Sequence, residues 1–343
     1  MDIKKTRRMK VLIFGFGLIG KERYRSLKKL KLADSEDIEV FDPYVHTNKG
    51  FEPKFNQKDF DLSEVKFIQD KEIRNEYDFI IFSAPHKENF SLIKKYKDNS
   101  NQFLLEKPMG LSFQEANEIF KINSKSRTIN IGFNYRFFEP INALLKDLNE
   151  EKFGKLINIS MKLGHGHQPN AESSWRLDKN QIPYGALIDP GIHCIDLVNY
   201  LFNDIQDINC RFVSNFWKKG YPEDIYFIGK SKDESNLICN VSNVSWKSTF
   251  YIHVLGTEGY GYIEGRGRTY GTQVYKTGKR WDWTNGKTQK DNEIEVISSD
   301  CENSFTKEIE DIIIKKENIA ATAEDGLKAM NLMDRIYRSI DRD

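Results

Sequence analysis

The 343-residue sequence predicts an α/β protein with two domains: an N-terminal Rossmann-type, doubly wound parallel sheet and a C-terminal α/β domain with an open, mostly antiparallel sheet. In residues 1–132, short apolar runs alternate with helical stretches, which is typical of parallel strands covered on both faces. Beyond residue 150, segments of alternating apolar and polar residues follow one another with turn signals between them. We therefore expect domains at 1–132 and 133–343, with the C-terminal helix a candidate for packing back on the first.

Each strand of the first domain is a short apolar run bounded by a turn signal. The helices are marked by their starts, as at Ser112, where Glu115 three residues later predicts a capping box. The strands are expected at 10–14, 37–41, 65–68, 79–82, 103–105 and 128–131, and the helices at 18–32, at 88–97 and after Ser112.

The second domain combines half-exposed strands with two helices. A helix is expected at 190–202, with Asp189 as its N-cap and Pro190 at its first position. Thr322 and Asp325 resemble a capping box that opens a C-terminal helix. The strands are expected at 156–163, 207–214, 224–230, 237–244, 248–255 and 261–264.

Composition and charge exclude several classes of protein. With 52 basic and 51 acidic residues the net charge is +1, so nothing indicates a nucleic-acid partner. No apolar stretch approaches the ~20 residues of a membrane span. The four cysteines lack metal or redox spacing, which favours reduced thiols in a cytoplasmic protein. The basic run ending at Arg8 before an apolar stretch imitates a signal peptide, but no cleavage site follows.

A glycine-rich turn follows the first strand and precedes the first helix, which is the context that a dinucleotide fingerprint requires. The first glycine permits the tight turn, the second lets the backbone approach a pyrophosphate, and the third allows close helix–strand packing. The helix N-terminus favours the negative charge. The turn consists of Gly15, Phe16, Gly17, Leu18, Ile19 and Gly20.

Asp42 ends the second strand, 22 residues beyond Gly20, where an acid accepts hydrogen bonds from a ribose 2′-hydroxyl. A 2′-phosphate would be repelled there, and no Arg or Lys follows immediately. The sequence therefore favours NAD over NADP as the cofactor. The competing interpretation is a structural glycine turn beside a surface aspartate.

Glu106, Lys107 and Pro108 follow the fifth strand, at the edge of the sheet where α/β proteins bind ligands. A lysine there could hydrogen-bond a substrate oxygen and stabilise developing alkoxide charge. Pro108 would end the strand and is a candidate for a cis bond. From this tripeptide alone, an exposed Glu-Lys pair before a turn is the competing interpretation.

Asp189 and His193 lie four residues apart at the start of a predicted helix, so they share a face. A histidine one turn from an acid is a candidate proton acceptor, which Asp189 could orient. Alternatively, Asp189 only caps the helix and His193 is structural. A zinc site that includes Cys194 lacks a further His or Cys at ligand spacing, so we expect no metal.

Together these motifs resemble the glucose–fructose oxidoreductase / inositol dehydrogenase family (Gfo/Idh/MocA), and the match runs nearly end to end. Further segments support it: Ser83-Ala84-Pro85, Gly132–Phe137, Trp175-Arg176, Gly185–Asp196, Gly256–Gly259 and Glu324–Gly326. The sequence departs from the usual pattern at His86 and Asn89, which exchange the family's Asn and His, and at Pro190.

The resemblance implies an NAD(P)-dependent oxidoreductase that acts on a sugar, nucleotide sugar or cyclitol. It assigns Lys107 to the reacting hydroxyl, His193 to its proton and Asp189 to assisting His193 or binding substrate. It also implies a homodimer or homotetramer, formed through the open sheet. The implied cofactor contacts are the glycine turn, Asp42, Ser83, Ala84, Pro85, Glu106 and Lys107, and the implied substrate contacts are Lys107, Tyr135, Trp175, Arg176, Asp189 and His193.

Several alternatives stay open. One is a catalytically inert nucleotide-binding sensor of the same fold, although such a protein need not retain both Lys107 and His193. Others are a reductase of a tetrapyrrole or unsaturated ring, and a glycosidase that holds NAD for transient oxidation. Nucleotide sugars are possible substrates because Arg136, Arg176, Arg266 and Arg268 could meet phosphate. His165 and His167 lie in a glycine-rich loop that either reaches substrate or is a mobile surface loop.

Overall fold

The protein is described from a computed structural model that covers residues 8–43, 61–169, 171–281, 284, 292–296 and 300–340. The N-terminal basic residues before Arg8, weighed above as part of a signal peptide, lie outside these ranges. The chain divides into two compact units. Unit 1 comprises Met1–Gly132 and Phe305–Leu327, and unit 2 comprises Phe133–Ser304 and Lys328–Asp343.

Unit 1 contains a seven-stranded sheet in the order β15-β6-β5-β4-β1-β2-β3. All neighbouring strands are parallel except β15, which pairs antiparallel with β6. The order 3-2-1-4-5-6 is that of a dinucleotide-binding sheet, whose ligand crevice lies where the order reverses, beside β1 and β4. The strands are β1 Val11–Phe14, β2 Ile38–Phe41, β3 Lys66–Phe67, β4 Phe79–Phe82, β5 Gln102–Glu106, β6 Thr128–Gly132 and β15 Ala321–Thr322.

The helices of this unit follow the predicted starts. They are α1 Leu18–Lys29, α2 His86–Tyr96 and α3 Phe113–Ile122. At α3 the Ser112 hydroxyl accepts from the Glu115 N–H, while the Glu115 carboxylate accepts from the Leu111 N–H, one residue earlier than in a capping box. All four residues of β1 are fully buried, as expected for a strand covered on both faces.

Unit 2 contains an eight-stranded sheet in the order β14-β13-β12-β11-β7-β10-β9-β8. It is antiparallel except for the parallel pair β7 and β10, so the carboxyl ends of those two strands lie side by side, with Gly164 opposite Ser242. The predicted fold class is confirmed. The strands are β7 Leu156–Gly164, β8 Ile205–Val213, β9 Asp224–Ser231, β10 Asn236–Ser242, β11 Thr249–Gly256, β12 Gly259–Glu264, β13 Gln273–Lys279 and β14 Asn292–Val296.

The remaining helices are α4 Glu139–Asn149, α5 Ile192–Phe202, α6 Asp300–Glu310 and α7 Ala323–Arg338. The α7 start matches the prediction: the Thr322 N–H donates to Asp325, and the Asp325 N–H donates back to the Thr322 hydroxyl. Five of the described α-helices and strands were not predicted, namely α4, α6, β13, β14 and β15. Polar residues, such as the lysines of β13, weaken the apolar period in some of these elements, and β15 has only two residues.

The predicted start of α5 is wrong. The N-cap is Gly191, and the helix begins at Ile192. The Asp189–Pro190 bond is cis, and Asp189 lies before the helix, where its backbone N–H donates to Gly185. Asp189 is therefore available for side-chain contacts other than helix capping. Within the described ranges, no helix combines the length and apolar character needed to cross a membrane.

Candidate functional site

The glycine turn of unit 1 combines a tightly packed bend with open space at the start of α1. Gly15 has φ +83, and a Cβ on it would meet backbone atoms of Ala84 and Ser83 at 2.8 Å. A Cβ on Gly20 would overlap the carbonyl oxygen of Gly15, so this helix start must pack against the turn. Gly17, in contrast, is the N-cap of α1, and among the described residues no atom beyond its chain neighbours and its own helix lies within 4 Å of its Cβ position. Open space at a helix N-terminus suits an anion.

The predicted Ser83-Ala84-Pro85 segment lies at the point where the strand order reverses. It follows β4, and the Ser83 hydroxyl lies 2.9 Å from the carbonyl oxygen of Phe14 and 2.8 Å from that of Gly15. This hydroxyl therefore ties the end of β4 to the glycine turn. The structure brings the two predicted cofactor segments together, within the crevice where doubly wound sheets bind ligands.

Asp42 lies beside the glycine turn, as the ribose assignment requires. It is buried, and its carboxylate accepts from the Phe16 N–H at 2.8 Å. The Phe16 ring is fully buried and packs edge-on against Tyr24 and Phe67, so Phe16 can reach a cofactor only through its backbone. The carboxylate retains acceptor capacity for a second donor, because it can take up to about four hydrogen bonds.

Glu106 joins a buried ion-pair network. Its carboxylate accepts from Arg23 Nε at 2.7 Å, and a second Arg23 nitrogen lies 2.6 Å from Glu308. Burial lowers the pKa of Arg23, but the two carboxylates outweigh burial and raise it above its ordinary value. The network anchors the end of β5. Lys107 follows it, half-buried, with a cis bond to Pro108.

In unit 2 the central feature is the imidazole of His193. It is 6% exposed and lies parallel to the Tyr135 ring, with the ring centroids 4.0 Å apart and an interplanar angle of 4°. Phe133 contacts it edge-on. These aromatic neighbours fix the plane of the imidazole, a condition for directed proton transfer.

Asp189 lies beside Arg176, with Nη1 and Oδ2 2.9 Å apart. Arg176 in turn lies over the Trp175 ring, 4.8 Å from its centroid. The structure therefore brings Asp189 together with the predicted Trp175-Arg176 segment. The short helical turn Trp175–Leu177 positions them, with the Ser174 hydroxyl capping its start.

Arg266, which the sequence left open as a phosphate contact, also belongs to this group, as does Tyr270. Arg266 lies over the rings of Tyr135 and Tyr270, at 5.1 and 3.8 Å from their centroids. Burial raises the pKa of the Tyr270 hydroxyl, and the Arg266 charge opposes that shift. The charge of Asp189 acts on Tyr270 and on His165. In the sequence, the signal that could have pointed to these additional residues was the pair of histidines in the loop after β7.

Arg136 is not available to meet a phosphate, contrary to the expectation from sequence. Both Arg136 and Asp196 are buried, and Arg136 Nε donates to Asp196 at 3.0 Å. Arg136 also lies over the Tyr200 ring, 4.4 Å from its centroid. Asp196 and Tyr200 of α5 therefore form a structural cluster with Arg136. Among the described residues, no group of three or more His, Cys, Asp or Glu could hold a metal ion.

The fold and these residues are those of an oxidoreductase with a nucleotide-binding unit, and the comparison with known families agrees. Residues 9–133 match the description "Oxidoreductase family, NAD-binding Rossmann fold". Residues 146–343 match "Oxidoreductase family, C-terminal alpha/beta domain". The chain belongs to the Gfo/Idh/MocA family, which confirms the predicted resemblance.

Individual relatives are dehydrogenases by name. Glucose-6-phosphate 3-dehydrogenase from Bacillus subtilis (strain 168) is 26% identical over 265 residues, covering 72% of each chain. Levoglucosan dehydrogenase in complex with NADH and L-sorbose has TM-score 0.77 at 16% identity, covering 97% of this chain and 96% of the other. The WlbA dehydrogenase from Bordetella pertussis, in complex with NADH and UDP-GlcNAcA, has TM-score 0.74 at 13% identity, with 97% and 95% covered. At these identities the structures show the fold alone.

Proposed function

We propose that this protein is an NAD(P)-dependent dehydrogenase or reductase that transfers hydride between nicotinamide and a secondary alcohol or ketone of a sugar, nucleotide sugar or cyclitol. The observation that carries the proposal is the environment of His193, a buried imidazole whose plane is fixed by Tyr135. The sugar dehydrogenases among its relatives support the substrate class. The resemblance assigns Lys107 and His193 to the same reacting hydroxyl.

In the oxidation direction, His193 takes the proton of the substrate hydroxyl while the carbon loses a hydride. When bound at the glycine turn, NAD supplies the hydride acceptor. Lys107 donates to the hydroxyl oxygen and stabilises the negative charge that develops on it. Asp189, held by Arg176, binds a neighbouring substrate hydroxyl or assists His193. Tyr135, Trp175 and Arg176 border the bound ring.

We infer NAD rather than NADP as the preferred cofactor. The support is Asp42, whose buried carboxylate accepts a hydrogen bond from the backbone N–H of Phe16 in the glycine turn. A phosphate on the ribose 2′-oxygen would meet this negative charge at short range, whereas a hydroxyl can donate to it.

The proposed roles are tested with Lys107→Ala and His193→Ala in steady-state assays. Lys94→Ala is the matched control, because Lys94 forms a surface ion pair with Glu118. We expect kcat to fall by roughly 100-fold or more in both site variants, as for a removed acid–base group, while NADH binding is retained. Unchanged kcat in both variants would contradict the assignment.

We propose that the protein partner is a second copy of the chain, which binds through the open face of the unit 2 sheet. Neighbouring strands place Tyr226, Ile228, Ile238 and Leu255 on this face, and between 41% and 49% of each is exposed. Exposed apolar side chains grouped on one face of a sheet mark an interaction surface. A cytoplasmic location remains a prediction.

The oligomer is tested by sedimentation of Ile238→Lys beside Phe216→Lys, whose residue is exposed in the loop after β8. We expect the wild type and the Phe216 variant to be dimeric or tetrameric and the Ile238 variant to dissociate. An Ile238 variant that sediments like the wild type argues against this face.

A further inference from the structure

The loop that follows β7 is held in place by its backbone. The His165 N–H donates to the carbonyl of Ser242 at 3.1 Å, and the Ser245 N–H donates to the carbonyl of His165 at 3.3 Å. Ser242 is the last residue of β10, the parallel neighbour of β7, and Ser245 lies three residues beyond it. These bonds tie the ends of the two strands together, so the position of the His165 side chain is defined by the sheet.

The ring of His165 has a defined tautomer. Its Nδ1 accepts a hydrogen bond from the backbone N–H of His167 at 3.2 Å, so the proton of the neutral ring is on Nε2. Burial, reinforced by the neighbouring His167, lowers the pKa of His165 to about 4, which keeps the ring neutral near pH 7. Within the part of the chain that the structure describes, no hydrogen bond is made by Nε2 of His165.

Three charged residues of the candidate site act on this ring. The charge of Asp189 favours the protonated ring, while Arg176 and Arg266 oppose it, so all three lie within electrostatic range of His165. Asp189 is an acceptor and the Nε2–H of His165 is a donor. A group that satisfies both must itself donate and accept, which is the property of a hydroxyl.

We propose that His165 is a specificity-determining residue: its Nε2–H donates to a substrate hydroxyl that in turn donates to Asp189. This inference rests on the proposed function and narrows its substrate class. The substrate carries a hydroxyl beside the reacting carbon, so a vicinal diol is required, and an isolated secondary alcohol is a poor substrate. Once the substrate covers it, a donor left without its partner penalises the analogue that lacks the hydroxyl.

The test uses two variants of His165 and one control. His165→Phe keeps a ring and removes the donor, whereas His165→Gln restores an N–H donor. His167→Asn is the control, because Asn tolerates the φ of +57 found there and keeps the backbone N–H that fixes His165. We expect kcat/KM to fall about tenfold or more in the Phe variant, because the hydrogen-bond donor is lost, and to recover in the Gln variant.

Deoxy analogues of the substrate separate recognition from a structural role. On the analogue that lacks the contacted hydroxyl, the wild type and His165→Phe should have equal kcat/KM. A Phe variant that loses the same factor on every analogue, or none on the parent substrate, overturns the proposal and leaves the dehydrogenase assignment intact. If the wild type turns over no polyol and binds none in calorimetry, both the His165 proposal and the dehydrogenase assignment are contradicted.

Discussion

The second glycine of the turn offers a substitution that separates cofactor binding from folding. Gly17→Ala adds one methyl group at the N-cap of α1, where the described part of the chain, apart from the adjacent residues and the helix itself, places no atom within 4 Å of the added carbon. The φ and ψ of Gly17, −69° and −161°, are open to alanine. The added methyl therefore disturbs only what binds in front of the turn.

The expected magnitudes follow from that geometry. Reduced freedom of the unfolded chain stabilises the Ala variant by about 0.4–1 kcal/mol. Alanine is a weaker N-cap than glycine by about 1 kcal/mol or less. Because the two effects oppose each other, the free energy of unfolding should stay within about 1 kcal/mol of wild type. Charge-assisted hydrogen bonds are worth about 1.5–3 kcal/mol. Displacing one pyrophosphate contact therefore weakens NADH binding about 10- to 100-fold.

The assay is NADH fluorescence titration, with thermal unfolding measured in parallel. Gly20→Ala provides the contrast, because its Cβ would overlap the backbone oxygen of Gly15. Overpacking of this kind costs about 1–3 kcal/mol, so the Gly20 variant should lose stability first. Wild-type NADH affinity in a folded Gly17→Ala protein would refute the assignment of this turn to the pyrophosphate.

Three further predictions concern charge. Asp42→Ala removes the acceptor beside Phe16, so NADH binding should weaken while the NADPH/NADH affinity ratio rises in titrations; an unchanged ratio contradicts the ribose assignment. Glu106→Gln leaves Arg23 with Glu308 alone in a buried network and should lower the free energy of unfolding by about 3 kcal/mol in urea titration, whereas the exposed Glu118→Gln should change it little. The folded pKa of His165, about 4, lies below its ordinary value of 6.5, so the unfolded chain binds more protons and stability should fall as pH drops from about 6.5 to 4; His165→Gln should flatten that slope, and an identical slope would contradict the shift.

The sequence predicted the elements whose signals are local. The strands of unit 1 are near-continuous apolar runs because both faces are buried, and β1 matches its predicted position within one residue. The glycine turn and the Thr322 capping box likewise depend on neighbouring residues alone. The start of α5 was misplaced because Asp189 and Pro190 suit a helix N-terminus locally, whereas the chain uses Asp189 to bind Arg176.

Partners that are distant in sequence could not be predicted. Arg136 binds Asp196, 60 residues away, and a single sequence contains no signal that selects this pair over a phosphate ligand. The network of Arg23, Glu106 and Glu308 likewise joins segments that only the folded sheet brings together. The tautomer of His165 depends on a hydrogen bond from the backbone N–H of His167, which no local sequence pattern predicts.

The most direct test of the central claim is the formation of NADH by the purified protein, given NAD and a panel of sugars, sugar phosphates, nucleotide sugars and cyclitols. The account predicts turnover on at least one vicinal diol, lost in both Lys107→Ala and His193→Ala and retained in Lys94→Ala. Measurable NAD binding without turnover on any compound, or turnover that survives loss of His193, would contradict it.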